Sequence, residues 1–384
     1  MISRILSVLL IIFACFSLAG CSFSPSSLFE SSEPKSMNEH STSDIHPNNK
    51  ESMDIRSTIS ISAIGDVLIH TRVYRDAKTT NGYNFMPMLD EVEPYLDSST
   101  ITIANQETMI GGEELGLSGY PAFNSPTEIA DNLKTLGIDV VTLANNHSLD
   151  QGVKGIENAI NYWDEIEMKH TGAFKTKDQS EEVLVYKTEK NIDVAILSYT
   201  YGTNGISAPA GKDYVVNRIE FKKMAKDIEK AKELADGVIV SLHFGQQYEP
   251  YPSAFQKEVV QFCADHEVDA VLGHHPHVLQ PLEYVEGEKG NKMLTVYSLG
   301  NFFSGQEDFQ RRIGGIFTFD FLKDEESDDT VKAIDPRFQI TYVTSQDQHD
   351  YKVVPMAELP ELMKEYKATK QHVSQWLPEL SFIE

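Results

Sequence analysis

The chain has 384 residues, a formal charge of −25 at pH 7 and three cysteines. So acidic a surface excludes nucleic acid as a partner, because affinity there rests on lysine and arginine neutralising phosphates. Cys15 and Cys21 fall in the N-terminal segment, which leaves Cys263 alone in an apolar helical setting. No internal disulfide can form in the remaining domain, so its stability has to come from a packed core.

The N-terminus reads as an address rather than as fold. Arg4, an apolar run from Ile5 to Leu18 and then Leu18-Ala19-Gly20-Cys21 give the charged, apolar and small-residue zones of a signal peptide over residues 1–20. The run is short for a membrane span, which needs roughly 20 apolar residues. Leu-Ala-Gly-Cys resembles a bacterial lipobox, which implies cleavage before Cys21, lipidation of Cys21 and a lipid-anchored protein on the extracytoplasmic face of the cell membrane. The alternatives are an uncleaved anchor or a plain secretory signal. Residues 21–56 are rich in Ser, Glu, Asn and Pro and poor in aliphatics. Such a segment cannot bury enough surface to offset its ordering entropy, so a disordered tether is expected, with ends roughly 30–35 Å apart.

From residue 57 to 384 short β-rich runs alternate with helical patterns. The runs "TISISAIG", "TITIANQ", "DVVTLAN", "VLVYKT", "DVAILSY", "GVIVSL", "DAVLG", "MLTVYSL", "GGIFTFDF" and "FQITYVT" are expected strands. Several are near-continuously apolar, as strands covered on both faces are. Helices are expected in "PTEIADNLKTLG", with Pro126 in the first turn and Gly137 at the exit, and in "GVKGIENAINYWDEIE", "EFKKMAKDIEKAKELADG" and "SAFQKEVVQFCADHE". The alternation argues for an α/β domain. The later strands come with fewer helices, which suggests a second sheet packed on the first. The tail "ELPELMKEYKATKQHVSQWLPEL" reads as a C-terminal extension of one or two amphipathic helices. No internal repeat or linker interrupts residues 57–384.

Ligand sites in open α/β sheets form beyond the carboxyl ends of strands, and here those ends carry polar residues. Asp66 and His70 follow the first strand, Asn105 and Glu107 the second, and Asn145, Asn146, His147 and Asp150 the third. His243 follows the sixth, His275 and His277 the seventh, and Asn301 the eighth. Carboxylate, amide oxygen and imidazole together suit a divalent transition metal. Each residue also has an ordinary reading. Asp66, Asn105 and Glu107 are common turn residues, Asn146 can cap a helix, and His243 can be a satisfied core imidazole. His275 and His277 flank Pro276; in an extended segment residues two apart face one side, so both rings would enter one site. "SYTYGTNG" after the fifth strand offers Asn204 to a substrate pocket, or is a plain glycine turn.

The ordered set "GDVLIH", "ANQET", "FNSP", "VVTLANNHSLDQG", "SLHFG", "GHHPHVLQPLE" and "YSLGNF" resembles the CapA family of poly-γ-glutamate capsule proteins, over about residues 57–319. The resemblance implies kinship with calcineurin-like metallophosphatases and their α/β fold, a four-layer αββα sandwich of two facing sheets with helices outside. It implies a metal site of Asp66, Glu107, Asn146, His243, His275 and His277, holding one or two divalent ions of Mn, Fe or Zn. His147 matches the imidazole that contacts the scissile group, with Asp150 beside it as a second catalytic residue. Asn105, Asn204 and Asn301 are then expected at the substrate. Leu68 stands where such phosphatases usually have a histidine, His70 lies two residues further on, the second motif lacks its usual Asp, and His274 matches no ligand position.

Two functions follow from this resemblance. One is a metal-dependent hydrolase acting on an anionic polymer or a phosphate-type substrate, within capsule biosynthesis or as a phosphohydrolase unrelated to it. The other is an accessory protein that binds the polymer, or membrane capsule synthetase subunits, without turnover. An acidic surface repels a polyanion, so binding would need the metal or a local cationic spot such as Arg311-Arg312. A lipid-anchored solute receptor fits the N-terminus but not the strand ends.

Overall fold

In the computed structural model, which describes residues 56–96, 98–324 and 331–383, β1 (Arg56–Leu68) leads through α1 (Thr71–Asp76) and a hairpin, β2 (Lys78–Thr79) and β3 (Gly82–Tyr83), to β4 (Ile101–Gln106). Then come α2 (Glu128–Thr135), β5 (Val140–Thr142), α3 (Gly152–Glu165), β6 (Lys169–Thr171), α4 (Lys177–Ser180), β7 (Leu184–Tyr186) and β8 (Val194–Thr200). α5 (Phe221–Leu234), β9 (Gly237–His243), α6 (Ala254–Asp265) and β10 (Ala270–His274) end the alternating part. The rest is mostly strand: β11 (Leu282–Glu286), β12 (Lys292–Val296), β13 (Asn301–Ser304), β14 (Ile313–Asp324), β15 (Val331–Gln346) and β16 (His349–Pro355). The helix α7 (Met363–Ser374) and the short β17 (Ser381–Phe382) close the chain. The expected signal peptide, Cys21 and most of the tether lie outside the described residues.

Two sheets form. One runs β16-β15-β14-β1-β4-β5-β6, with β13 beside the end of β1 and β17 beside β15; the other runs β11-β12-β10-β9-β8-β7. The β1, β4, β5 and β6 neighbours are parallel, as are β8, β9, β10 and β12, while β14, β15 and β16 add antiparallel strands. The second sheet therefore comes from the middle of the chain, and the helix-poor late strands extend the first. Antiparallel neighbours that follow one another in the chain do not need a helical crossover.

Strand alternation sorts side chains into layers. Ile59, Ile61, Ile101, Ile103 and Val140 of the first sheet meet Val194, Ile196, Ile239, Ala270, Leu272 and Leu294 of the second in one buried core. The opposite face of the first sheet, through Ala104 and Val141, packs on Ile129, Leu133, Ile156, Ile160 and Trp163 of α2 and α3. The opposite face of the second, through Leu197, Val240 and Val271, packs on Met224 and Ile228 of α5 and Val259 and Cys263 of α6. The order is helix, sheet, sheet, helix, as the resemblance implied.

Local chemistry sets the helix ends. Ser253 and Gln256 form a reciprocal capping box at α6, each side chain taking the other's backbone N–H. The tail forms one α-helix, α7, preceded by two single 3₁₀ turns at Met356–Glu358 and Pro360–Leu362. Among the described residues no helix is long and apolar enough to cross a membrane. All of them belong to one compact unit.

Candidate metal centre

The face between the sheets turns from aliphatic to polar toward the strands' carboxyl ends. Along β4 the inward positions are Ile101, Ile103, Asn105 and then Glu107; along β9 they are Ile239, Ser241 and His243; along β10 they are Ala270, Leu272 and His274. On β1 the alternation would bring residue 65 inward. A register shift between Ile64 and Asp66 puts Asp66 there instead, the re-aiming that bulges provide. Close packing enforces it: a Cβ on Gly65 would lie 2.3 Å from the Gly300 carbonyl oxygen, and the Asp66 N–H donates to that oxygen at 2.8 Å. The same approach pairs Asp66 with Asn301.

At this edge six of the expected residues meet, all buried: Asp66, Glu107, Asn146, His243, His275 and His277. Donor atoms of Glu107, His243 and His275 lie within 4.8 Å of one another, and so do those of Asp66, Glu107 and His277. Glu107 belongs to both groups. Asn146 joins the first, its Oδ1 standing 2.7 Å from His243 Nε2. His277 Nδ1 is 3.1 Å from Asp66 Oδ2 and its Nε2 is 3.7 Å from Glu107 Oε1.

The electrostatics are those of a site short of positive charge. Among the described residues no lysine or arginine pairs with Asp66 or Glu107, whose ionic neighbours are all imidazoles. Burial raises the Glu107 carboxyl well above its ordinary range, and the Asp66 charge adds to this. Burial would raise Asp66 as well, but His274 and His277 hold it well below. Burial, with the neighbouring imidazoles, lowers His243 well below the usual range and His275 to about 3. For His277 burial works downward, yet Glu107 and Asp66 raise it to about 9. Both oxygens of Glu107 are buried without a hydrogen bond among the described residues, as are Nδ1 of His275 and both nitrogens of His274. Orphaned polar atoms at this density are costly unless something absent from the protein chain satisfies them. A divalent cation does so, and carboxylate, amide oxygen and neutral imidazole are the donors it takes.

Around this core, Asp150 Oδ2 accepts from His147 Nδ1, 2.6 Å away, and also accepts the Phe123 N–H. The loop carrying it is tied by Asn145, which accepts the His147 N–H, and by the Ser148 hydroxyl, which donates to the Leu143 and Asn145 carbonyls. Asn204 joins this group: its Oδ1 accepts from Asn146 Nδ2 at 3.2 Å and its Nδ2 is 3.3 Å from His147 Nδ1. Asn105 and Asn301, expected at the substrate, face protein instead. Asn105 Nδ2 donates to Asp66 Oδ1 at 2.8 Å, and Asn301 Oδ1 is 3.0 Å from His277 Nδ1 while its Nδ2 donates to the Arg311 carbonyl. Both are buried and hydrogen-bond to side chains of the Asp66–Glu107–His277 group.

Other expectations changed in detail. The segment around Pro276 is not extended: His275 has φ 97° and His277 φ 59°. The rings still enter the site, but one belongs to each donor group. Left-handed backbone at two histidines is strain of the kind found at functional sites. His274, which had no assigned role, lies with Nδ1 3.4 Å from Asp66 Oδ1; strand parity alone could have placed it inward. His70 stays outside both groups, its Nδ1 turned to the Leu68 carbonyl and the Gly305 N–H. The arginine pair is occupied: Arg311 stacks on Tyr248 and pairs with Asp308, while Arg312 donates to the Val343 carbonyl. Exposed tyrosines rim the opening, Tyr201 against His275 and Tyr248 against His277.

A two-sheet α/β fold carries at its carboxyl edge a buried carboxylate–imidazole cluster of the composition that a divalent-metal site takes. The family model described as bacterial capsule synthesis protein PGA_cap matches residues 60–306, and the chain belongs to that family. It is 27% identical over 259 residues to the capsule biosynthesis protein CapA of Bacillus anthracis, covering 65% of this chain and 60% of that one. It is 26% identical over 261 residues to the PGA biosynthesis protein CapA of Bacillus subtilis strain 168, covering 65% and 64%. The chain thus spans less than two thirds of the length of these relatives. Among solved structures, it is similar to a protein of Thermus thermophilus at 10% identity, with TM-score 0.38 and coverage of 72% of this chain and 99% of that one. It is also similar to a purple acid phosphatase from yellow lupin seeds at 10% identity, with TM-score 0.31 and coverage of 78% and 54%. Likenesses that remote bear on neither activity nor substrate.

Proposed function

We propose that this chain is a metal-dependent hydrolase acting on an anionic polymer or phosphate-type substrate in poly-γ-glutamate capsule biosynthesis, held at the outer face of the cell membrane by lipid on Cys21. One observation carries the hydrolase reading: Glu107, buried, bears two carboxylate oxygens without a hydrogen-bond donor and stands in both donor groups. Asp66, Glu107 and His277 would hold one ion, and Glu107, Asn146, His243 and His275 a second, of Mn, Fe or Zn type. Bound metal supplies Lewis acidity toward an anionic oxygen and acidifies water.

The protein's own groups supply the rest. Asp150 fixes the His147 ring through Nδ1, which leaves Nε2 to hold or give up a proton at a departing group. Asn204 steadies both His147 and Asn146 through its amide. The capsule assignment is supported by the family and by its two Bacillus relatives.

The test is direct. Full-length protein loaded with Mn²⁺ is assayed on bis(p-nitrophenyl) phosphate and on poly-γ-glutamate, beside His147→Ala. Hydrolysis of either, lost in the variant, supports the reading. A metal-loaded protein that cleaves neither, yet binds the polymer, would make it an accessory protein without turnover.

A further inference from the structure

Immediately beyond His277 the chain runs through Val278 and Leu279 along the wall of a second concavity, a cavity of about 490 Å³. Its volume is in the range of small-molecule sites, about 300–1,000 Å³. Its lining includes three aromatic rings, those of Tyr248, 40% exposed, Tyr251, 51% exposed, and Phe309. It also includes Gln310, Glu365 and Thr369. Phe309, Gln310, Glu365 and Thr369 lie outside the family-matched segment, while Tyr248, Tyr251, Val278 and Leu279 lie inside it, so the cavity combines the two parts of the chain.

The two tyrosines are fixed platforms. Tyr248 carries the Arg311 guanidinium 3.5 Å from its ring centre and donates its N–H to the Pro276 carbonyl at 2.8 Å. Tyr251 meets His372 edge-on at 5.1 Å and Trp376 at 6.2 Å. In the same lining, the side chains of Gln310, Glu365 and Thr369 make no hydrogen bond or ion pair among the described residues. Among the described residues no lysine or arginine lines the cavity, and the guanidinium on Tyr248, that of Arg311, is already paired with Asp308, so an anionic ligand beside Glu365 is disfavoured. A ring with C–H groups on its faces and hydroxyls around its rim fits this lining. C–H hydrogens meet the tyrosine ring surface that Arg311 does not cover, and hydroxyls meet a carboxylate, an amide and a hydroxyl that lack partners.

We propose that this cavity binds a neutral sugar ring of an oligosaccharide. Binding depends on Tyr248, Tyr251 and Glu365 and does not require metal, so it stands or falls separately from hydrolysis at the neighbouring centre.

Trp376 beside Tyr251 is a ready reporter, because Trp163, the other tryptophan, is fully buried in the core. The full chain in EDTA is titrated with chitotetraose, cellotetraose and maltotetraose, and with tetra-γ-glutamate and decanoate as other occupants, while tryptophan emission is followed. At least one tetrasaccharide should give a saturable change below about 10 mM. Tyr251→Ala and Glu365→Gln, both at accessible positions and checked for unchanged melting, should each weaken it about tenfold or more. No saccharide response, full binding in Tyr251→Ala, or a response confined to tetra-γ-glutamate or decanoate would overturn the proposal.

Discussion

Oδ2 of Asp150 lies 2.6 Å from Nδ1 of His147 and takes a second hydrogen bond from the Phe123 N–H at 2.7 Å. One carboxylate thus sets the ring's orientation and is itself fixed by backbone. His147→Ala should lower kcat by about 10²–10⁴-fold with metal content unchanged. Asp150→Asn should lower kcat by about 10–100-fold with little effect on KM, since Asp150 acts only through His147. Steady-state kinetics beside metal analysis decide it; wild-type kcat in His147→Ala would remove His147 from the chemistry, and wild-type kcat in Asp150→Asn would remove Asp150 as its support.

Asn301 holds His277 from behind at 3.0 Å. Removing that support leaves Nδ1 only its contact with Asp66 Oδ2 and keeps the imidazole itself. Asn301→Ala should weaken binding of one ion by about 10–100-fold, measured by competition with a chelator, while the fold survives by circular dichroism. Unchanged affinity would mean that Asn301 has no part in orienting the ligand.

Gly273 precedes His274 where β10 runs hard against the chain leaving β12. A Cβ there would sit 2.1 Å from the Tyr297 carbonyl oxygen, and backbone cannot yield as a side-chain end can. Gly273→Ala should therefore cost about 1–3 kcal/mol or more and lower Tm by several degrees. An unchanged melt would contradict the packing described for this strand.

At the opposite end of β10, Asp269 accepts the Val238 N–H at 2.8 Å. Burial raises its carboxyl to about 7. The folded protein then holds this proton more tightly than the unfolded chain does. The contribution to stability is complete below the ordinary aspartate range and is lost as pH rises through about 7. Asp269→Asn keeps an acceptor for Val238 and has no charge to bury. Its stability relative to the parent protein should rise between pH 5 and pH 8, read by denaturant unfolding at both values. A difference that does not move with pH would refute this.

Much of the centre was legible because strand ends are short in sequence and sharp in chemistry. Asp66, Asn146, His243 and His277 each follow a buried apolar run, and a run that ends in a carboxylate, amide or imidazole is readable without coordinates. The pairing of His275 with His277 was legible for a different reason than the actual one: their backbone is left-handed, not extended, a conformation that spacing cannot reveal. Asn301 and Asn105 looked like substrate contacts because both follow strands. Only the Gly65–Gly300 approach brings Asn301 behind His277, and that contact joins distant segments. The edge strands β6, β11, β13 and β16 were missed because their sequences are short, half-exposed or broken by glycine, with no apolar run to mark them. The cavity beside Tyr248 was invisible for a related reason: its two walls meet only when α7 packs against the loop after β9.

Because Glu107 stands in both donor groups while His275 and His277 stand in one each, ion content measured by mass spectrometry on purified variants tests the centre most directly. A pair of ions should be bound by the parent chain, one by His275→Ala or His277→Ala, and neither by Glu107→Gln. Full occupancy in Glu107→Gln, or no bound metal in the parent protein, would contradict the account.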